Sequence, residues 1–102
     1  MPVKPPRTPD TATTSEWTFL TNHSHVLVFL DRHPEATQRE MARAVGITER
    51  AVQHILGDLE TAGVISRQRI GRRNRYDVHP DRALRHPLES HRTVRDLLST
   101  VR

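Results

Sequence analysis

The sequence predicts a mainly α-helical domain carrying a single β-hairpin, an α+β arrangement in which helices dominate. Three observations predict it. Apolar residues recur at helical spacing in four stretches, around residues 13–33, 37–45, 48–62 and 87–101. Between Val64 and His79 the period drops to two, the mark of paired strands. Capping residues and glycines stand at the boundaries between these stretches. The chain of 102 residues is long enough for one small core with tails and too short for two.

Residues 1–13 hold four of the seven prolines, with Lys4 and Arg7 as the only basic residues, and show no periodicity. Such a segment buries no apolar area, and it is expected to be a disordered arm. A first helix is expected from about Thr13, where Thr13 and Glu16 have capping-box spacing, to His33, where Pro34 ends it. Trp17, Leu20, Leu27 and Leu30 form one stripe, and Phe19, Val26, Val28 and Phe29 widen it to a second side. A helix apolar on two sides needs two partner surfaces, one of which is expected to be a second copy of the chain.

Thr37 and Glu40 repeat the capping-box spacing and open a short helix with Met41, Ala42 and Val45 on its apolar side. Gly46 closes it as a left-handed cap. Thr48 is an immediate new N-cap, and a third helix runs to about Ala62. Val52, Ile55, Leu56 and Leu59 share one stripe, and Glu49, Arg50, Gln53 and His54 face the other way. Gly63 caps its end. Residues 64–70 and 75–79 then read as two strands around a Gly71-Arg72-Arg73-Asn74 turn. Pro80 breaks the second strand. Pro87 suits the first position of a last helix, in which Leu88, Val94, Leu97, Leu98 and Val101 line up.

Two short helices joined by a tight turn, followed by a hairpin, have a clear physical use. The first helix braces the second, whose polar face fits the DNA major groove. Each base pair displays a distinct donor and acceptor pattern there. Arg50 suits guanine and Gln53 suits adenine, and they are the best candidate base readers, the alternative being contact with phosphate or solvent only. Glu49 could accept from cytosine or simply favour the positive end of its helix. His54 is either a base or phosphate donor or a surface histidine. Asp58 and Glu60, further along, are expected to face away, since phosphate repels acids. Arg67, Arg69, Arg72, Arg73 and Arg75 put five arginines into nine residues of the hairpin, with no acid among them. A guanidinium fork binds phosphate by paired hydrogen bonds, and a hairpin tip reaches the minor groove.

The composition agrees. Sixteen Lys and Arg against twelve Asp and Glu leave a net charge of +4, with an isoelectric point near 10.9. This balance suits a polyanionic partner. The absence of cysteine excludes disulfides, thiolate metal sites and cysteine nucleophiles. No stretch approaches the roughly 18 apolar residues of a membrane span, and the start MPVKPPRTPD lacks the apolar core of a signal peptide. A cytoplasmic protein is expected. No paired carboxylates, Ser/His/Asp constellation or glycine-rich phosphate loop stands out, so an enzyme is not expected. Among seven histidines, His23 and His25 lie on different sides of a helix and cannot clamp one ion. His86, Glu89 and His91 could contribute to an intersubunit metal site, but surface histidines are the better account. No cofactor is expected.

TQREMARAVGITERAVQHILGDLETAGVISRQRIGRRNRYDV, residues 37–78, resembles the DNA-binding core of winged helix-turn-helix transcriptional regulators of the MarR and ArsR type. The run from Gly46 to Ile65 and the GRRNRY hairpin carry the likeness. It implies a winged helix at residues 14–79, a linker and dimerisation helix at 80–102, and a homodimer on an inverted repeat in double-stranded DNA. Carried over by position, Thr48, Glu49, Arg50, Gln53 and His54 make the recognition face, and Thr37 and Gln38 lie by a phosphate. Arg72, Arg73 and Asn74 form the wing tip, flanked by Arg69 and Arg75. Trp17, Leu20, Leu27, Val94, Leu97, Leu98 and Val101 are the expected dimerisation residues. The chain has little material for a ligand pocket between dimerisation helices and DNA lobe, and it lacks the cysteine pair of metal sensors. A winged-helix protein-interaction module and a sequence-indifferent nucleoid-type binder are the alternatives. The first would be expected to carry apolar anchors on the third helix, where this chain has polar residues. The second would rest on phosphate contacts alone.

Overall fold

The computed structural model describes residues 17–102. In chain order it contains α1 (Asn22–Arg32), α2 (Gln38–Val45), α3 (Glu49–Thr61), β1 (Ile65–Ile70), β2 (Arg73–Val78) and α4 (Val94–Val101). Three helices pack around one core, the antiparallel hairpin β1–β2 stands beside them, and α4 closes the back. This is a winged helix, as the sequence predicts.

The middle of the chain follows its local signals closely. The Thr37 hydroxyl accepts from the Glu40 amide at 3.1 Å, and the Glu40 carboxylate accepts from the Thr37 amide at 2.8 Å, completing a capping box. Gly46 takes φ +85°, which a side chain would disfavour, and both its amide and that of Ile47 bond the Ala42 carbonyl. Ile47 is then tucked against the core. The Thr48 hydroxyl accepts from the Ala51 amide at 3.0 Å and starts α3. Val52, Ile55, Leu56 and Leu59 are buried against Val26, Leu27 and Leu30 of α1 and Met41 and Ala42 of α2. Each of the larger side chains contributes about 1.5–3 kcal/mol by leaving water. Among the described residues no polar side chain is buried.

The ends differ from expectation. The 1–13 arm and the Thr13–Glu16 capping pair lie outside the described residues. The first helix begins at Asn22, because Thr21 is extended and its hydroxyl accepts from the Ser24 amide. Trp17, Phe19 and Leu20 therefore precede the helix and do not continue its stripe. The hairpin turn is also tighter than the four residues expected. Ile70 pairs with Arg73, leaving only Gly71 and Arg72 in the loop. Gly71 has a positive φ and Arg72 does not, the pattern of a type II′ turn that matches strand twist. Asn74 is thus a strand residue opposite Arg69.

The last helix starts at Val94 and not near Pro87. Residues 87–92 are turns, and Leu88 is 83% exposed. Thr93 and Asp96 form a second complete capping box, which fixes the start of α4. The preceding segment folds back on itself, with Leu84 and Val94 amides on the Arg92 and Arg82 carbonyls. It thereby brings α4 against α1. Val94 and Leu98 are buried in the shared core. Arg32 bonds the Val101 carbonyl at 2.7 Å, and the Arg102 fork grips Asp31 at 2.9 and 3.1 Å.

Since α4 is part of the core, Leu98→Ala should cost about 2–5 kcal/mol in urea denaturation; a loss below about 1 kcal/mol would show α4 to be a loose appendage. The capping boxes predict an acid limb. The Thr37 amide, then its hydroxyl, holds Glu40 below its ordinary 4.5, and the Thr93 amide holds Asp96 below its ordinary 3.8. A lowered folded pKa gives stability that is present above the ordinary value and lost as pH falls through the folded one. Melting temperature should therefore fall below about pH 4.5, and the double variant Glu40→Gln/Asp96→Asn should flatten that fall.

Candidate nucleic-acid interface

The polar side of α3 is set by its buried side. With Val52, Ile55, Leu56 and Leu59 facing inward, Glu49, Arg50, Gln53, His54 and Gly57 are left exposed. Gln53, His54 and Gly57 lie three, four and seven residues on from Arg50, so the four make one ridge. Thr48 supports this ridge from the cap, its hydroxyl occupied by the Ala51 amide. Among the described residues Arg50 forms no ion pair. Gly57 has a helical backbone, and a Cβ placed there would meet nothing within 4 Å. No internal packing calls for a glycine at that point.

The N-termini of α2 and α3 meet the wing tip. Thr37, Gln38, Glu49, Arg72, Arg73 and Asn74 line one groove of about 320 Å3 together with Glu35, Ala36, Arg39 and Tyr76. Six positions that sequence reasoning singled out are thus brought to one place. Arg39 stands 3.7 Å from Glu49 across this groove and partly offsets its charge. Arg72 and Arg73 are exposed, and among the described residues neither forms an ion pair. Arg69 donates to the Gly71 carbonyl at 3.0 Å, which stiffens the tip.

Two of the five hairpin arginines are engaged elsewhere. Arg75 lies 3.3 Å from Glu35 and 3.7 Å from Asp77, so its charge is largely answered within the chain. Arg67 donates to Glu60 at 2.7 Å. The absence of acids within the arginine run is real, but α3 and the α1–α2 connection supply them from outside it.

Asp58 was legible only as an acid pointing away. In the structure one of its oxygens lies 2.8 Å from His23 Nε2 of α1 and 3.4 Å from His54 Nε2. The hydrogen bond from His23, and to a lesser degree the charges of His54, His23 and Arg85, hold its carboxyl below the ordinary 3.8. His54 is therefore drawn toward the far end of the ridge. The i, i+4 spacing of His54 and Asp58 was available in the sequence, whereas the arrival of His23 was not. Behind Asp58, α1, α3 and residues 83–97 enclose an open cleft of about 580 Å3 with walls including Leu27, Leu59, Val64, Leu84 and Leu97. The folded-back segment before α4 supplies one wall of this cleft, which lies within one chain and leaves the expectation about a pocket between dimerisation helices and DNA lobe untouched.

The residues expected at a dimer interface divide into three groups. Leu27, Val94 and Leu98 are buried in the chain's own core, and Leu97 packs partly against it. Leu20 and Val101 are half-buried. Trp17 remains 76% exposed and the neighbouring Phe19 91%, their rings in edge-to-face contact at 4.8 Å.

Comparison with known proteins is consistent with this geometry. Residues 18–75, more than half of the chain, match the sequence profile of the MarR family. An uncharacterized protein of Methanocaldococcus jannaschii, MJ1254, is 30% identical over 60 residues, which are 58% of this chain and 13% of that protein. The crystal structure of MepR, a transcription regulator of the Staphylococcus aureus multidrug efflux pump MepA, superposes with a TM-score of 0.51 at 28% identity. That match covers 57% of this chain and 45% of MepR, so the chain spans less than half the length of either relative. With the helix pair, the hairpin and the matched stretch all in agreement, the chain belongs to the MarR family.

Proposed function

We propose that this protein is a sequence-specific regulator of transcription that binds double-stranded DNA, with α3 in the major groove and the β1–β2 hairpin as a wing. The observation that carries this reading is the union of three features on one side of the molecule. These are the polar ridge of α3, the exposed Arg72 and Arg73 at the wing tip, and the helix N-termini between them. Arg50 and Gln53 are the base readers, while Thr37, Gln38 and Asn74 help to seat the phosphate backbone. Gly57 lets the duplex approach the far end of the ridge. MepR, described as a transcription regulator, supports the reading by its similarity.

The protein acts as a homodimer on an inverted repeat. Trp17 and Phe19 are large, in edge-to-face contact and exposed, and a two-fold partner would cover them. Such a dimer sets two α3 ridges about one duplex turn apart. A protein-docking role for α3 would want apolar anchors where Arg50, Gln53 and His54 stand.

On a duplex the protein selects, Arg50→Ala or Gln53→Ala should cost about 1–3 kcal/mol and relax specificity at one position. Arg72→Ala and Arg73→Ala should instead weaken binding to cognate and random duplexes alike and lower the salt slope by about one each. Fluorescence anisotropy across a salt series separates the two classes; indistinguishable effects would refute the division of labour. Gly57→Ala should raise stability by about 0.5–1 kcal/mol yet weaken DNA binding. A stabilised variant with unchanged affinity would remove Gly57 from the interface.

A further inference from the structure

We propose that Arg67 is a positioning residue that sets the angle between the wing and the recognition helix and does not contact DNA. The inference rests on the DNA-binding reading and adds a division within the wing's arginines. Arg67 stands in β1 directly opposite Tyr76 of β2. Its guanidinium donates to Glu60 of α3 at 2.7 Å, and its central carbon lies 5.5 Å from the Tyr76 ring centroid. The Tyr76 ring is almost wholly buried, and the Tyr76 amide bonds the Pro34 carbonyl at 2.8 Å, so the ring is fixed to the helical core. One planar side chain therefore joins α3 to both strands of the wing.

Chemistry makes arginine the suitable residue. A guanidinium can stack on an aromatic face and direct its N–H groups sideways to a carboxylate at the same time, whereas an ammonium presents one compact charge. Glu60 also neutralises the charge of Arg67, so the pair adds little to the field that attracts a polyanion. That field is left to Arg69, Arg72 and Arg73. An acid on the recognition helix opposes DNA binding by its charge alone; its place here is explained by what it holds.

The sign of a single substitution separates tether from phosphate ligand. Glu60→Gln removes a negative charge from a DNA-binding protein, which by field alone should tighten binding. If the pair positions the wing, Glu60→Gln and Arg67→Lys should each weaken binding about threefold to tenfold. Both should keep the wild-type salt slope, and the double variant should be little worse than either single one. Anisotropy titration of the full chain on a random-sequence duplex at several salt concentrations reads all of these. Tighter binding by Glu60→Gln, with Arg67→Lys like wild type and Arg67→Gln lowering the salt slope by about one, would make Arg67 a phosphate ligand and overturn the proposal. Amide hydrogen exchange without DNA gives an independent reading, with thermal melting to verify folding. The two variants should exchange faster along Ile65–Ile70 and Arg73–Val78, and unchanged exchange would also overturn it. If the wild-type protein binds no duplex at all, the DNA-binding reading fails by itself, and the exchange result still decides whether Arg67 and Glu60 tether the wing.

Discussion

The burial of Tyr76 is the constraint on which the rest of the structure depends. A two-stranded hairpin is at best marginally stable by itself in water. Here Tyr76, together with Ile65 at the start of β1, is inserted into the helical core, and the Tyr76 amide is satisfied by the Pro34 carbonyl between α1 and α2. Wing and helices consequently form one body. The register of the hairpin follows from this insertion, because a one-residue slip would turn Tyr76 to solvent. With Tyr76 fixed, Arg72 and Arg73 are held at a defined distance from the N-termini of α2 and α3, and the groove they share exists.

Within that frame, charge is distributed by what each arginine can reach. Carboxylates from α3 and from the α1–α2 connection meet Arg67 and Arg75, in the middle of the hairpin. Among the described residues neither Arg72 nor Arg73 forms such an ion pair, and Glu40 of α2 acts on Arg73 only weakly through its charge. Partly exposed ion pairs of this kind add little stability one by one. Their effect here is geometric: the middle of the hairpin is made nearly neutral and fixed, while the tip stays cationic. A basic patch in sequence thus becomes two regions with different work.

Much of this could be read from the sequence, and the misses share a physical pattern. The capping box at Thr37, the left-handed Gly46 and the cap at Thr48 are local signals with local consequences, and α2, α3 and the ridge from Glu49 to His54 followed from them. The ends depended on competition between equally local signals. Thr21 starts the first helix, eight residues after Thr13. The Thr93–Asp96 box sets the start of the last helix, despite the helical suitability of Pro87. The dimerisation stripe was partly misdirected because Leu27, Val94 and Leu98 find partners inside the chain, a matter of tertiary packing that periodicity cannot assign. Long-range pairs were invisible for the same reason. Nothing in sequence joins His23 to Asp58, or Arg75 to Glu35, forty residues apart.

In the proposed mode of binding, the exposed ridge of α3 reads DNA sequence while the wing tip holds the backbone. Selection of bound sequences from a random duplex pool, repeated at low and high salt, tests it most directly. Enrichment of an inverted repeat with half-sites about one duplex turn apart is expected, with the same sequence recovered at both salt concentrations. Binding without enrichment that collapses as salt rises would contradict it and leave a protein held by phosphate contacts alone.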